Sequence, residues 1–340
     1  MTWRARAIQV AKLAVVLVAL VWLVRTGRLD LRALADLRPG LAAMGAVLVL
    51  MPFLITFYRL SVVLRAVGAP VPVRAVYRIG FIAGFFNTFM PGGLGGDLVK
   101  VGYLIRLTGD GARATAAVLL DRVLALVSVL AIGGVSLLVF WPTLQSSAGL
   151  RGLALLVALG LGGIALGVLV AVPLLSSRRV EAGLAPDGWL RALLTERIPL
   201  GRLVLRLVEA ARLARAHLGL LGAMVLLSVV SQGCSIASMY LFSRALELPP
   251  TFGQIIAAAP LAFLANTLPV PGGGLGVGEA AMASLLELFA RDGAPATGGA
   301  LIFLAWRLWV VIWGLLGLPP YLARSDEIRS ISQVTQGVRH

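Results

Sequence analysis

Apolar residues in this chain come in long blocks separated by short polar connectors. The blocks cover residues 1–24, 40–64, 112–140, 152–175, 218–242 and 300–321. About 20 such residues in a helix cross about 30 Å of hydrocarbon, so the pattern predicts six full transmembrane helices. The first block opens on Arg4, Arg6 and Lys12, and no small-residue cleavage site precedes Arg25 and Arg28. It reads as a retained span, not a removed signal peptide. Pro52 sits inside the second block, where it predicts a kink. Four shorter apolar pieces lie at 73–89, 98–107, 252–267 and 279–289. Residues 98–107 are too few to span, so 73–89 with 98–107, and 252–267 with 279–289, are predicted as two re-entrant helical hairpins.

The tips of those hairpins break the helical pattern. The first reads Asn87-Thr-Phe-Met-Pro-Gly-Gly-Leu-Gly-Gly-Asp97, the second Asn266-Thr-Leu-Pro-Val-Pro-Gly-Gly-Gly-Leu-Gly-Val-Gly-Glu279. Pro removes a backbone donor and Gly lowers helix propensity. Non-helical backbone at membrane depth survives only where protein buries it or where it lines a wet cavity. Helices are expected to restart at Leu98 and Ala280, just past the tips.

The two stretches belong to a wider repetition. Arg65-Ala-x-x-x-Pro70 recurs as Arg244-Ala-x-x-x-Pro249, and Asn87-Thr88 recurs as Asn266-Thr267 at the same offset. Asp110-Gly-Ala-Arg-Ala-Thr115 recurs as Asp292-Gly-Ala-Pro-Ala-Thr297 after a three-residue slip at the tip. Residues 40–140, with tip 87–97, and 218–321, with tip 266–279, therefore read as two copies within a single membrane domain over 1–340. A hairpin adds an even number of crossings and three full spans separate Arg65 from Arg244, so the copies are expected to be inverted and their hairpins oppositely oriented. Inverted repeats are associated with transporters that bind near the midplane.

Composition sharpens this picture. At 59% hydrophobic and 13% charged, the 340 residues exclude a soluble globule. The net charge of +15 is placed for an anionic leaflet, not for nucleic acid: eight arginines fall between Arg178 and Arg215. That puts the basic 176–217 segment and the polar 323–340 tail, hence the C-terminus, in the cytoplasm. Arg25, Arg28, Arg32 and Arg38 then fall outside, against the positive-inside rule. Cys234 is the sole cysteine, and His217 and His340 are far apart, so no disulfide, metal site or cofactor is expected.

Intramembrane charges are functional candidates, because each costs at least about 2.5–3.5 kcal/mol at a helix centre. Asp121 and Arg122 lie roughly 12–14 Å inside the 112–140 span, and Arg307 lies inside the last one. The functional reading gives Arg122 and Arg307 an anionic headgroup to hold, since guanidinium binds phosphate bidentately. Lys100, Asn87, Asn266 and the backbone at Gly92, Gly93, Gly95, Gly96, Gly273, Gly274 and Gly276 join them as candidate substrate contacts, because bare N–H groups at helix N-termini bind anions. Asp97, Asp121 and Glu279 are the candidate charge partners. A structural alternative pairs Arg122 with Asp97 or Asp121, and Arg307 with Glu279, as plain ion pairs, with the tip carboxylates acting as caps.

The paired tips and Asp121-Arg122 resemble the lysylphosphatidylglycerol synthase transmembrane (flippase-domain) family over essentially residues 5–322. The resemblance implies a bacterial or archaeal inner-membrane protein that moves a lipid between leaflets. Full-length synthases carry a soluble aminoacyltransferase domain after the membrane part. A chain ending at His340 has no room for one, so no aminoacyl transfer is expected. The cargo stays open among aminoacylated phosphatidylglycerol, another phospholipid and a polyprenyl-phosphate-linked sugar. A small-solute or ion transporter, or a membrane partner of a separate lipid-modifying transferase, are the other readings. An enzyme is not expected: there is no Asp-x-Asp, His cluster, or Ser-His or Cys-His pairing.

Overall fold

The computed structural model describes residues 38–89, 95–139, parts of 151–163, 218–266, 276–289 and 298–322. The expected first span, the basic 176–217 segment, the tail and most of the 152–175 block lie outside the described residues, as do Gly92, Gly93, Gly273 and Gly274. What is described is helical: α1 (Pro39–Ala66), α2 (Val73–Phe89), α3 (Gly95–Thr108), α4 (Gly111–Val139), α5 (Leu218–Ala245), α6 (Phe252–Asn266), α7 (Val277–Phe289) and α8 (Gly299–Leu315). Four of the helices are long and apolar enough to cross a membrane: Pro39–Ala66, Gly111–Leu138, Gly222–Ala245 and Gly299–Leu322. The protein is an all-helical, multi-pass membrane protein. Helix α1 continues through Pro52.

Local chemistry sets the helix ends. Pro39 opens α1, where its missing donor costs nothing. The Asp110 carboxylate caps α4 by accepting from the N–H groups of Ala112 and Arg113, each at 3.0 Å. Thr251 and Gln254 form a capping box at α6, with Thr251 N–H donating to Gln254 Oε1 at 2.8 Å. The C-termini of α1 and α5 match each other. Gly68 and Glu247 both take positive φ, 72° and 54°, and the next N–H in each returns to a carbonyl five residues back, Leu64 and Ser243.

Helices α1 and α5 pack antiparallel through the centre. Gly45 faces Phe242 near one end, and fourteen residues along each helix Arg59 reaches Ser228. Buried Ser228, Ser231, Ser235 and Ser238 give α5 a small polar face that lets α1 approach. Exchanging α1–α4 for α5–α8 maps every closely packed helix pair onto another: α2 with α3 onto α6 with α7, α4 with α6 onto α8 with α2, α1 with α4 onto α5 with α8. Apolar clusters gather around Leu60, Val76 and Leu104, around Met239, Leu261 and Leu286 with Val129 and Leu130 of α4, and around Val49, Phe242 and Leu301.

The short helices fold back in pairs, α2 on α3 and α6 on α7. At the first pair a Cβ on Gly96 would collide with the Ala83 carbonyl oxygen and the Asn87 side chain, so only glycine permits the approach. Helices restart earlier than the sequence suggested, at Gly95 and Val277 instead of Leu98 and Ala280. Asp97 and Glu279 consequently lie inside the first helical turns, where a carboxylate favours the N-terminal dipole.

Candidate functional site

Each copy assembles an asparagine, an acid and an arginine from three helices. In the second copy Arg307 Nε on α8 donates to Glu279 Oε1 at 2.5 Å, and its Nη2 donates to Glu279 Oε2 at 3.2 Å and to Asn266 Oδ1 at 2.8 Å. Glu279 Oε2 also accepts from the Gly276 N–H at 2.8 Å, the back-bond of a capping box. The Arg307 guanidinium lies over the Phe303 ring, 5.3 Å from its centroid. Gly276 holds a φ of 86°, which a glycine adopts freely.

The first copy places the same groups differently. Arg122 Nε on α4 donates to Asp97 Oδ2, while Lys100 Nζ sits 3.3 Å from Asp97 Oδ1. Asn87 Oδ1 accepts from the Gly96 N–H at 2.7 Å. Exposure separates the two copies. The Arg122 side chain is 41% exposed, that of Arg307 12%, and Glu279 is almost fully enclosed at 1%. Arg122 is the more exposed of the two guanidinium groups, and its partner Asp97 is shared with Lys100. Arg307 is held by Glu279, Asn266 and the Phe303 ring.

Asp121 is not the partner of Arg122. It bonds to Arg59 on α1: Nε donates to Asp121 Oδ1 at 2.7 Å, Nη2 to the Asp121 carbonyl at 3.1 Å, and Nη1 to Ser228 Oγ on α5. Successive residues on a helix point about 100° apart, so one carboxylate cannot face Arg59 while its neighbour Arg122 faces it too. Arg59 was not among the candidates singled out from the sequence. Its place inside an apolar run, and the three- and four-residue spacing of Ser228, Ser231, Ser235 and Ser238, were the available signals.

A cleft of about 520 Å³ opens between the copies. Pro52 and Thr56 line it from α1, Ser231, Gln232 and Ser235 from α5, Arg122 and Leu126 from α4, and Phe263, Asn266 and Trp306 from the second copy. The α1 and α5 contributions come from the middle of both helices, so the cleft lies at mid-depth. Arg122 reaches it from the first triad and Asn266, bound to Arg307, from the second. On the α4 side its wall, Val123 and Leu126, is apolar and exposed. The cleft thus joins hydroxyl, amide and guanidinium donors to an opening on the apolar surface. Trp306 Nε1, on the same wall, is buried with no hydrogen-bond partner. Among the described residues no group of three His, Cys, Asp or Glu side chains converges as a metal site.

The described residues thus form an all-helical, multi-pass membrane protein whose mid-depth cleft mixes apolar walls with a few polar groups. The profile of the family described as the lysylphosphatidylglycerol synthase TM region matches residues 9–316, and the chain belongs to that family. Comparison with curated proteins and with solved structures gives no match.

Proposed function

We propose that the protein translocates a phosphate-bearing anionic lipid between the leaflets of a bacterial or archaeal inner membrane, with its C-terminus in the cytoplasm. The observation that carries this reading is the laterally open cleft: its apolar α4 wall suits acyl chains, and its floor of Arg122, Thr56, Gln232, Ser235 and Asn266 suits a headgroup. Arg122 is the headgroup ligand, since its exposed guanidinium offers a planar fork to phosphate. In this reading Lys100, Asn87 and Gly96 support it without binding directly: Lys100 pairs with Asp97, and Asn87 accepts from the Gly96 N–H. Arg307, Asn266, Glu279 and Gly276 form the braced counterpart in the second copy.

The same reading takes α2–α3 and α6–α7 as oppositely oriented re-entrant hairpins of an inverted repeat, in a protein with six full spans. The antiparallel α1–α5 pair and the exchange symmetry of the helix contacts support it. Helices of 13–17 residues are short for a crossing. Translocation, not group transfer, is the activity assigned. A separate lipid-modifying enzyme would then supply modified substrate.

Reconstitution into liposomes holding fluorescent phosphatidylglycerol on both leaflets tests the proposal. Membrane-impermeant dithionite should quench nearly all the probe with protein present and about half without it. Quenching that stays at half with properly inserted protein would overturn the reading. Movement of small anions without lipid movement would replace it with a solute carrier.

A further inference from the structure

The C-terminal end of α1, the N-terminal end of α2, the C-terminal end of α3 and the N-terminal end of α4 lie together. Short connectors join them, and Arg113 Nη1 at the start of α4 donates to the Gly68 carbonyl just past α1 at 3.2 Å. Arg65, Arg74, Arg78, Arg106 and Arg113 all stand at this end, and all are exposed. The only described carboxylate on these helix ends is Asp110, which caps α4 and pairs with Arg113 at 3.4 Å. Among the described residues the guanidinium groups of Arg65, Arg74, Arg78 and Arg106 make no hydrogen bond or ion pair.

Among the described residues, the second copy forms the matching helix ends with fewer arginines. Gly253 occupies the place of Arg74, Ala257 that of Arg78 and Leu288 that of Arg106. Only Arg65 keeps an arginine counterpart, Arg244, and that one turns inward to the Leu248 and Pro250 carbonyls. At that opposite end Arg38 pairs with Glu247 at 2.6 Å. Since one copy folds these termini without them, the arginines of the other are not required by the fold.

Two of them flank a cavity. Arg74 and Arg78 sit one turn apart on α2, and their face holds a groove of about 450 Å³ whose described walls also include Pro72, Ala75 and Ile79. Side chains at this spacing start about 5–6 Å apart, close enough to straddle one phosphate. Ala75 and Ile79 give the groove an apolar side for the start of an acyl chain.

We infer that the Arg74–Arg78 groove is a lipid site at one membrane surface, taking the phosphate of a net-anionic phospholipid from the leaflet on the Arg65 side. The site is distinct from the mid-depth cleft and lies at the Arg65 end of the first copy. It rests on the translocation reading for the fate of the lipid, while binding there stands apart from transport.

Native mass spectrometry of the full chain in detergent tests it, with phosphatidylglycerol or phosphatidylcholine of the same acyl chains added. Wild type should retain phosphatidylglycerol in preference to phosphatidylcholine. The doubly substituted R74Q/R78Q protein should lose that preference about fivefold, equivalent to roughly 1 kcal/mol. R74K/R78K should keep part of it, since charge survives while the fork is lost. Both positions are exposed, so both proteins are expected to purify as folded species. Equal retention of phosphatidylglycerol by wild type and R74Q/R78Q would overturn the inference. So would displacement of the lipid by millimolar inorganic phosphate, which would make this a free-phosphate site. A protein that binds by this test but moves no lipid leaves the groove standing and removes the translocation reading.

Discussion

Arg59 and Asp121 form an enclosed ion pair at the centre of the molecule, with the guanidinium of α1 also holding the Asp121 carbonyl and Ser228. The side chains are 3% and 7% exposed, so three helices are tied at a point water does not reach. The pair fixes the rotation of α4, and with it the direction in which the next residue, Arg122, projects. Nothing charged replaces it in the other copy, where Ser238 and Trp306 stand at the matching positions.

Removing one member of that pair leaves a buried charge without a partner, at a cost of about 3–5 kcal/mol. Arg59→Met should therefore lower the thermal midpoint of the purified protein sharply. Arg59→Met with Asp121→Leu should recover much of the loss. If the two losses simply add, the pair is not what anchors α4.

Arg122 and Arg307 should respond differently to the same substitution. Arg122→Gln leaves Asp97 with Lys100, so the protein should keep wild-type expression and melting behaviour while lipid movement falls several-fold or more. Arg122→Lys should restore part of the activity. Undiminished scrambling by Arg122→Gln would take Arg122 out of the mechanism.

Arg307→Gln strands Glu279, which is enclosed and has no other cationic partner among the described residues. A loss of roughly 3–5 kcal/mol is expected, read as poor yield and a lowered midpoint. Adding Glu279→Gln should return a folded protein. A single variant as stable as wild type would count against a bracing role for this pair.

Gly96 marks the closest approach of α2 and α3. Gly96→Ala forces a methyl against the Ala83 carbonyl and Asn87, costing about 1–3 kcal/mol as backbone shifts to accept it. Thermal unfolding should show the drop, and a neutral result would mean the two helices are free to separate.

Cysteines at Arg65 and Glu247, each in a Cys234→Ser background, check orientation. The antiparallel α1 and α5 carry these positions at opposite ends. On intact cells a membrane-impermeant maleimide should label one of them and not the other. Labelling of both from the same side would contradict the inverted arrangement.

The helical membrane class was legible in the chain because hydrocarbon demands long apolar helices, a requirement written residue by residue. The 65/244 and 87/266 correspondences marked out helix ends that coincide with those of α1, α5 and α6. Gly and Pro at the tips announced interrupted helices, again a local property. The restart points were misjudged by about a turn, because Gly-Gly-Asp reads as loop until the Asn87 side chain satisfies the Gly96 N–H. Propensity cannot include an acceptor found nine residues away.

Partnership was beyond the sequence. Asp121 and Arg122 are adjacent, yet one faces Arg59 and the other Asp97, since helix geometry sends neighbours to different sides and tertiary packing decides who waits there. The unequal exposure of Arg122 and Arg307 is likewise unreadable from two matching motifs, because burial is set by helices from the rest of the chain. The sequence by itself determined the solvent, the helices and the repeated pattern, all consequences of local hydropathy and backbone chemistry. The ion pairs, the cleft and the difference between the two copies were decided only when α1 and α5 packed antiparallel, because long-range contacts choose among partners that local chemistry leaves equivalent.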